Sequence, residues 1–388
     1  YLGFEPSWIL HKSSSVDGTA WHVFDCMRGV VTGGNDAILV PNTAAAEASD
    51  SIIDITSTGF KITTSAGGLN QNNGEYIYMA IRRPDGYVGK PPELGTDVFA
   101  MDTGAGGSTI PNYDSGFPVD FVLEKYFSGS QAWYGSARLI GDKYLEPNDT
   151  TAEANGGGWY KFDSNSGWGS GSGQDSTYQS WMFKRHAGFD VVAYDGVGGG
   201  QTVSHSLNKV PEMIWIKNRD YSEPWTVGHK GLNGGTNPWQ YWVPLNATDI
   251  EQDNTASFND TAPTATQFTV GNDRRVDFAS QKFIALLFAS TDVSSVGSYT
   301  GNGSTGQTIT LGFQPRFVII RKYNDGAHWL VLDTTRGWGS GDDKYILLNS
   351  SGAQGDYEVG APVSNGFTLV GDNDYNNSSG AYIYYAHA

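Results

Sequence analysis

Gly312-Phe-Gln-Pro-Arg-Phe-Val-Ile-Ile-Arg-Lys322 joins a turn-forming glycine, a proline and an apolar run that ends in basic residues. The run is rich in β-branched residues and has the length of a buried strand. Its proline stands at the strand entry, where a missing N–H does little damage to a ladder. A related stretch, Gly3-Phe-Glu-Pro-Ser-Trp-Ile-Leu-His-Lys12, opens the chain, and weaker copies follow Gly116 and Pro211. The sequence therefore predicts one strand-forming unit that occurs four times.

Three residues recur at similar spacing in all four copies. They are the prolines Pro6, Pro118, Pro211 and Pro315, the tryptophans Trp21, Trp133, Trp225 and Trp329, and the asparagines Asn42, Asn148, Asn246 and Asn349. Proline and tryptophan are 15, 15, 14 and 14 residues apart, and proline and asparagine 36, 30, 35 and 34. A period near 100 residues predicts a string of whole domains rather than a solenoid of small units.

We place the domains at residues 1–83, 84–186, 187–290 and 291–388, called repeats 1 to 4 below. In repeats 2, 3 and 4 a glycine-rich lead-in precedes the repeated proline, and repeat 1 lacks this lead-in. Repeat 1 is therefore expected without its N-terminal strand, in a natural protein that extends upstream or is processed there.

Composition favours strands over helices. The 388 residues include 51 glycines, aromatic residues make up 13% and charged residues only 17%, a profile of strand formers and turn residues. In repeat 4 the strand candidates are residues 308–311, 317–321, 329–333, 345–348, 366–370 and 381–386. Several short strands without helical periodicity predict an all-β chain of tandem antiparallel β-sandwiches, with a lectin-type jelly roll as the preferred version.

Charge and cysteine content narrow the function classes. A net charge of −17 argues against nucleic acid and against anionic membrane surfaces, because both require a basic face. No apolar run approaches the roughly 20 residues of a membrane span, and Cys26 alone cannot form an internal disulfide. The histidines are scattered and carry no metal-binding motif. We therefore predict no cofactor, no metal, no nucleic acid and no membrane insertion.

Some repeated residues allow two interpretations. Asp25 with Arg28, and Asp333 with Arg336, could form an ion pair that closes a turn, or a polar site. The repeated tryptophans could be core anchors or could stack on sugar rings. The repeated asparagines suit turns, because asparagine tolerates positive φ and hydrogen-bonds its own backbone.

Aromatic residues found in single copies are the candidates for ligand or partner contact, because the needs of a repeated scaffold do not explain them. They are Trp159, Tyr160, Trp168, Trp239, Tyr241, Trp242 and Trp338. Most lie in sequence rich in glycine and asparagine, which predicts exposure on loops. Exposed aromatic side chains suit subunit contacts and carbohydrate stacking alike.

The full pattern resembles a family of repeat domains from tailed phages, common in phages of marine and cyanobacterial hosts. It consists of Gly-Phe-x-Pro, a strand ending in Lys, a Trp, Asp-x-x-Arg-Gly, Tyr-x-x-x-Asn, Gly-Phe-Thr-Leu and a closing Tyr-Ile-Tyr-Tyr. The resemblance is closest in residues 297–388, clear in 1–83 and weaker in 190–290, where Gly228-His-Lys-Gly231 replaces the Asp/Arg motif. It implies a tail-fibre or other virion structural protein.

The expected function is therefore a structural component of a tailed-phage virion, as a fibre, spike or decoration protein. Its expected partners are other virion proteins, copies of itself and, by extension, host surface polysaccharide, to which repeated weak sites would bind with avidity. The alternative is a self-assembling subunit of an extracellular bacterial filament or surface layer, joined by strand addition. We do not expect an enzyme, because one active site needs one constellation rather than four diverged copies.

Overall fold

In the computed structural model the described residues are 1–83, 94–107, 109–169, 174–371 and 374–388. The predicted all-β class is confirmed: antiparallel strands dominate, and helices are single turns. The jelly-roll connectivity stays a prediction.

Repeat 1 contains seven strands and one helical turn. The strands are β1 Pro6–Ser13, β2 His22–Asp25, β3 Asp36–Ile38, β4 Ala48–Asp50, β5 Ile53–Thr56, β6 Gly59–Ile62 and β7 Tyr76–Arg82, and the turn is α1 Gly67–Asn70. Its main sheet has the order β2-β1-β7. The outer edge of β7 pairs with no other strand of the described residues.

Repeat 2 adds a strand at the equivalent edge. Its strands are β8 Phe99–Thr103, β9 Tyr113–Asp114, β10 Phe121–Tyr126, β11 Trp133–Ala137, β12 Lys143–Tyr144, β13 Ala154–Asn155, β14 Gly167–Trp168 and β15 Tyr178–Phe183. Two 3₁₀ turns cover Gly95–Asp97 and Arg138–Ile140. The main sheet has the order β11-β10-β15-β8, so β8 follows the last strand of the repeat.

Repeat 3 has the same core order with a longer sheet. Its strands are β16 Phe189–Asp195, β17 Gln201–Ser204, β18 Met213–Asn218, β19 Thr226–His229, β20 Tyr241–Pro244, β21 Gln252–Asp253, β22 Gln267–Val270 and β23 Lys282–Phe288. Its helical turns are 3₁₀ at Leu232–Gly235 and Pro238–Gln240, and α2 at Thr255–Phe258. The main sheet is β16-β23-β18-β19-β20-β21, and β17-β22 forms a second sheet.

Repeat 4 matches repeat 3 strand for strand along the main sheet. Its strands are β24 Ser294–Gly301, β25 Gln307–Thr310, β26 Phe317–Lys322, β27 Trp329–Asp333, β28 Asp343–Leu347, β29 Gly355–Tyr357, β30 Pro362–Val363, β31 Gly366–Leu369 and β32 Gly380–His387. The main sheet is β24-β32-β26-β27-β28-β29, and the second is β25-β31-β30.

The two faces of each main sheet have different neighbours. In β26, Val318 and Ile320 pack on Phe367 and Leu369 of the second sheet of the same repeat. Alternate residues point to the opposite face, where Phe317 and Ile319 join a cluster with members from repeats 2, 3 and 4. An apolar strand with both faces buried results.

Aromatic rings meet at the centre of this shared cluster. Phe183 of repeat 2 lies 6.5 Å from Phe288 of repeat 3 and 6.4 Å from Tyr385 of repeat 4, between ring centroids. Phe288 and Tyr385 are 4.8 Å apart. Repeats 2, 3 and 4 therefore share one hydrophobic core and form a closed group, called the ring below.

Candidate functional site

The repeated asparagine fixes the repeated tryptophan in every copy. The backbone N–H of the tryptophan donates to the asparagine Oδ1 at 3.0 Å for Trp21 and Asn42, 2.6 Å for Trp133 and Asn148, 3.0 Å for Trp225 and Asn246, and 3.0 Å for Trp329 and Asn349. This bond holds the start of one strand against the turn that ends the next. The sequence predicted a turn role for these asparagines, but it did not predict their hydrogen bond to the tryptophan.

In the ring, the indole N–H of each tryptophan crosses to a neighbouring repeat. Trp133 donates to the Leu347 carbonyl at 3.0 Å, Trp225 to that of Glu146 at 2.9 Å, and Trp329 to that of Pro244 at 2.9 Å. Each acceptor lies two residues before the repeated asparagine of its own repeat. The donors therefore run from repeat 2 to 4, from 4 to 3 and from 3 to 2, which closes a cycle of three.

The basic residue at the end of each central strand makes the same crossing. Lys125 donates to the Ser351 carbonyl at 2.9 Å, Lys217 to that of Thr150 at 2.9 Å, and Arg321 to that of Ala247 at 3.1 Å. Burial lowers the pKa of Lys125 and of Lys217 to about 8. These cations are thus partly desolvated and bind backbone carbonyls of the neighbouring turn.

A backbone bond completes each contact in the opposite direction. The N–H of Gln354 donates to the Phe127 carbonyl at 3.0 Å, that of Glu153 to Arg219 at 2.8 Å, and that of Glu251 to Tyr323 at 2.8 Å. Each donor lies five residues after the repeated asparagine. We use the name clamp for three parts together: the tryptophan, the basic residue, and the asparagine turn to which both donate hydrogen bonds.

The Asp/Arg pairs form ion pairs that close turns. Arg336 donates to Asp333 from its backbone N–H at 2.9 Å and from its guanidinium at 2.7 Å, and Arg28 donates to Asp25 at 2.9 and 2.6 Å. In repeat 4 the pair also meets repeat 2, because the Trp181 indole donates to Asp333 Oδ2 at 3.1 Å. The turn motif thereby contributes to the ring.

The single-copy aromatic residues are not exposed on loops, which corrects the expectation from the sequence. Trp168 is fully buried, Trp159, Tyr160, Trp239, Trp242 and Trp338 are at most 9% exposed, and Tyr241 is half-buried. The six buried side chains pack over the outer faces of the main sheets, where they cover apolar residues, whereas Tyr241 packs against the core that repeats 2, 3 and 4 share. The Trp168 indole N–H, for example, donates to Ser180 Oγ at 2.9 Å. Ligand contact is therefore not proposed for them.

An open cleft in repeat 4 carries exposed aromatic and acidic side chains instead. It encloses about 710 Å³, and its lining includes Tyr345, Tyr357, Asp325 and Asp356. Tyr357 is 51% exposed. Asp356 and Tyr357 lie on β29, Tyr345 lies on β28, and Asp325 lies in the turn before β27, so no single contiguous motif marks the cleft in the sequence.

Glu124 is a buried carboxyl in the outer layer of repeat 2. Burial raises the pKa of Glu124 to about 7, while a 2.7 Å hydrogen bond from the Tyr113 hydroxyl opposes the rise. The folded-state pKa therefore exceeds the value of about 4.3 in an unfolded chain. Stability is then full below about pH 4, falls as the pH rises towards 7, and stays reduced above it.

We expect Glu124→Gln to remove this pH dependence, because the amide has no charge to desolvate and its carbonyl still accepts from Tyr113. Between pH 4 and 8 the wild type loses roughly 3 kcal/mol of unfolding free energy through this group, at about 1.4 kcal/mol per pKa unit, and the variant does not. Urea unfolding at several pH values measures the difference, with the exposed Glu47→Gln as control. Equal pH profiles for Glu124→Gln and wild type would contradict the assignment.

Two kinds of site are missing from the described ranges. No group of three or more His, Cys, Asp or Glu residues there has the geometry to hold a metal ion. No helix in the same ranges combines the length and apolarity of a membrane span.

Comparison with known proteins gives a family but no activity. A family model described as a domain of unknown function, DUF7483, matches residues 1–83 and 159–388. No protein of curated function matches the chain. The matched ranges include the clamp tryptophans of repeats 1, 3 and 4 and cover most of the sequence, so the chain belongs to the DUF7483 family.

Proposed function

We propose that this chain is a structural component of a tailed-phage virion, as a fibre, spike or decoration protein. The proposal assigns it no catalytic role. Its action is geometric: a rigid group of repeats sets the position of the surfaces that meet other proteins or the host.

The clamp is the observation that supports this proposal best. Repeats 2, 3 and 4 each use the repeated tryptophan, basic residue and asparagine turn to hold a neighbour, with equivalent hydrogen bonds at all three contacts. Burial of large aromatic rings at these contacts resists relative motion of the repeats. Such rigidity suits an architectural protein, and the resemblance to phage repeat domains supports a place in a virion.

Gold-labelled antibodies against the chain, applied to particles purified from a lysate of the producing cells, test the proposal. Label at a fixed place on phage heads or tails is the expected result. Label confined to cell-surface filaments or layers would replace the proposal with the alternative below.

The alternative is a self-assembling subunit of an extracellular bacterial filament or surface layer. The outer edge of β7 favours it, because no strand of the described residues pairs with this edge, whereas β8, β16 and β24 cover the equivalent edges of the other main sheets. An uncovered edge can accept a strand from another chain. Growth of polymers from the purified chain alone would support this alternative.

Contact with host polysaccharide, as an extension of the virion role, is proposed for the cleft of repeat 4. Tyrosine rings beside carboxylates can stack on a sugar face and accept from its hydroxyl groups. We expect Tyr357→Ala to weaken binding to host surface polysaccharide up to about tenfold, because ring stacking contributes about 0.5–1.5 kcal/mol. Binding of the purified chain to the isolated polysaccharide measures it, and Tyr221→Ala, at a tyrosine of similar exposure in repeat 3, is the control. Unchanged binding in Tyr357→Ala contradicts the cleft assignment.

A further inference from the structure

The main sheet of repeat 1 has a face equivalent to the buried faces of the ring. Its register places Leu10 opposite Met79 and Val23, as Ile319 lies opposite Tyr385 and Val331 in repeat 4. By the same register Trp8 lies opposite Ile81, and Lys12 opposite Ile77. We call the side chains Trp8, Leu10, Trp21, Val23, Ile77, Met79 and Ile81 the repeat 1 face.

This face is open, whereas its counterparts are buried. Ile77, Met79 and Ile81 are 51%, 53% and 52% exposed, while Ile383 and Tyr385 of repeat 4 are at most 1% exposed. The acceptor turn shows the same contrast. Leu39 is 37% exposed, but Leu145, Val243 and Ile346, which also lie three residues before the repeated asparagine, are at most 2% exposed.

Repeat 1 contains every part of the clamp. Trp21 is fixed by Asn42, as in the ring. Lys12 donates to the Thr19 hydroxyl at 2.7 Å, two residues before the tryptophan, where Lys217 and Arg321 bind the carbonyls of Glu223 and Ala327. Among the described residues, neither the Trp21 indole nor Lys12 donates to another repeat.

The acceptor in repeat 1 is the carbonyl of Val40, two residues before Asn42. It accepts the Thr43 N–H at 3.0 Å, which is the turn bond that Ser350 makes to Leu347 at 3.1 Å. In the ring, the Leu347 carbonyl accepts an indole N–H in addition. The Thr43 hydroxyl also donates to Val40 but is exposed and can turn to water.

We propose that the repeat 1 faces of three copies of this chain pack together around a three-fold axis and form a second ring. In this homotrimer the Trp21 indole of one copy donates to the Val40 carbonyl of the next. Lys12 of the first copy binds the turn after Asn42 of that next copy. Ile77, Met79 and Ile81 of all three copies are buried at the centre.

Three copies are required because the clamp is directional. Each repeat carries a donor edge at the tryptophan and an acceptor edge at the asparagine turn, so the contact is head-to-tail rather than two-fold. Head-to-tail contacts close only at the number that their rotation dictates. Repeats 2, 3 and 4 close at three, and copies of repeat 1 that use the same parts close at the same number.

Sedimentation velocity and light scattering on the purified 388-residue chain test the proposal. We expect a trimer at micromolar concentration. Met79→Lys is expected to weaken association about 100-fold or more, because each copy would bury an unpaired charge near the axis. The control is Tyr78→Lys, which alters a neighbour of equal exposure on the opposite face of β7 and is expected to leave the trimer intact.

Crosslinking tests the arrangement as well as the number. Ile81 is equivalent to Phe183 and Phe288, whose ring centroids are 6.5 Å apart. An Ile81→Cys variant is therefore expected to crosslink between chains with a short bis-maleimide, and Tyr78→Cys is not. The native thiol interferes little, because burial raises the pKa of Cys26 to about 12.

A monomer or dimer at tens of micromolar would overturn the proposal, and so would a trimer that persists in Met79→Lys. A partner captured in place of further copies would overturn it too. These outcomes are independent of the proposed virion role: a trimer absent from particles contradicts the role alone, and a monomer found on particles contradicts the trimer alone.

Discussion

The Trp329→Ala variant is expected to lose about 3–5 kcal/mol of unfolding free energy, the range for removing a buried tryptophan from a core. Trp329 is 1% exposed and lies 6.5 Å from Trp215 of repeat 3. Its indole N–H donates to the Pro244 carbonyl. Truncation leaves a cavity between two repeats and removes one of the three clamps of the ring.

Two further variants separate the parts of this effect. Trp329→Phe keeps most of the aromatic packing contacts but loses the indole N–H donor. We therefore expect it to lose about 1–3 kcal/mol of unfolding free energy through the missing hydrogen bond. Trp21→Ala removes the matching tryptophan of repeat 1, which is only half-buried, and is expected to cost about 1 kcal/mol in the monomeric Met79→Lys background. Urea unfolding followed by tryptophan fluorescence measures all three. Equal losses for Trp329→Ala and Trp21→Ala would show that the shared core contributes little.

The sequence predicted the strands well, because short apolar runs with turn residues at their ends are a local signal. In repeat 4, residues 329–333 were expected as a strand and β27 has those bounds, while 317–321 became β26 with one residue more. The sequence also marked β26 as apolar on both faces. The sequence did not show that one of those faces packs against other repeats, because packing partners about 100 residues away in the chain leave no local pattern.

The sequence misplaced the single-copy aromatic residues for a different reason. Glycine and asparagine around Trp168 and Trp239 report turns in the backbone, and turns usually lie at the surface. The side chains nevertheless fold inward, and the Trp338 indole N–H donates to the Gly360 carbonyl at 2.8 Å inside repeat 4. Main sheets that are apolar on both faces need a cover on the outer one. That demand was the available signal for their burial.

The tryptophan and asparagine landmarks were visible, but their geometric roles were not. A fixed spacing shows that two residues are constrained together, and it does not distinguish a core anchor from a contact between repeats. Trp225 is both, because its backbone N–H binds Asn246 within repeat 3 and its indole N–H binds Glu146 of repeat 2. Only the cyclic order of the three crossings shows that the repeats close into a ring rather than extend as a string.

Replacing Glu5 with glutamine is expected to destabilise the junction between repeat 1 and the ring by about 3–5 kcal/mol, the usual cost of breaking a buried ion pair. Glu5 is 5% exposed and accepts from Arg185 Nη1 at 2.6 Å to Oε2. Arg83 Nε lies 3.3 Å from Glu5 Oε1. Asp120 and Asp190 are the other acids beside these cations.

The charge balance of this junction explains the expected size of the destabilisation in Glu5→Gln. Among the described residues, three carboxylates face three guanidinium groups there, and they are Glu5, Asp120 and Asp190 with Arg83, Arg138 and Arg185. Glutamine keeps the shape of Glu5 but leaves one buried positive charge uncompensated. The control is Glu47→Gln, which breaks a pair with Arg28 on a carboxylate that is 48% exposed. Exposed pairs contribute about 0–1 kcal/mol.

Acid offers an independent measurement of the same junction. Burial raises the pKa of Asp120, but Arg185, Arg138 and Arg83 outweigh it, and the pKa is lowered. A carboxyl with a lowered folded-state pKa stabilises the fold above its unfolded value of about 3.9, and that stability is lost as the pH falls through the folded-state pKa. The hydrogen-exchange protection factors of amides in β1 and β7 are therefore expected to stay high down to about pH 4 and to fall below it. In Glu5→Gln the same strands are expected to exchange faster already at neutral pH, while β26 and β32 of the ring stay protected. Equal exchange of repeat 1 in Glu5→Gln and Glu47→Gln would mean that backbone contacts, such as the Thr32 N–H to the Leu139 carbonyl at 3.0 Å, hold repeat 1 without the ion pairs.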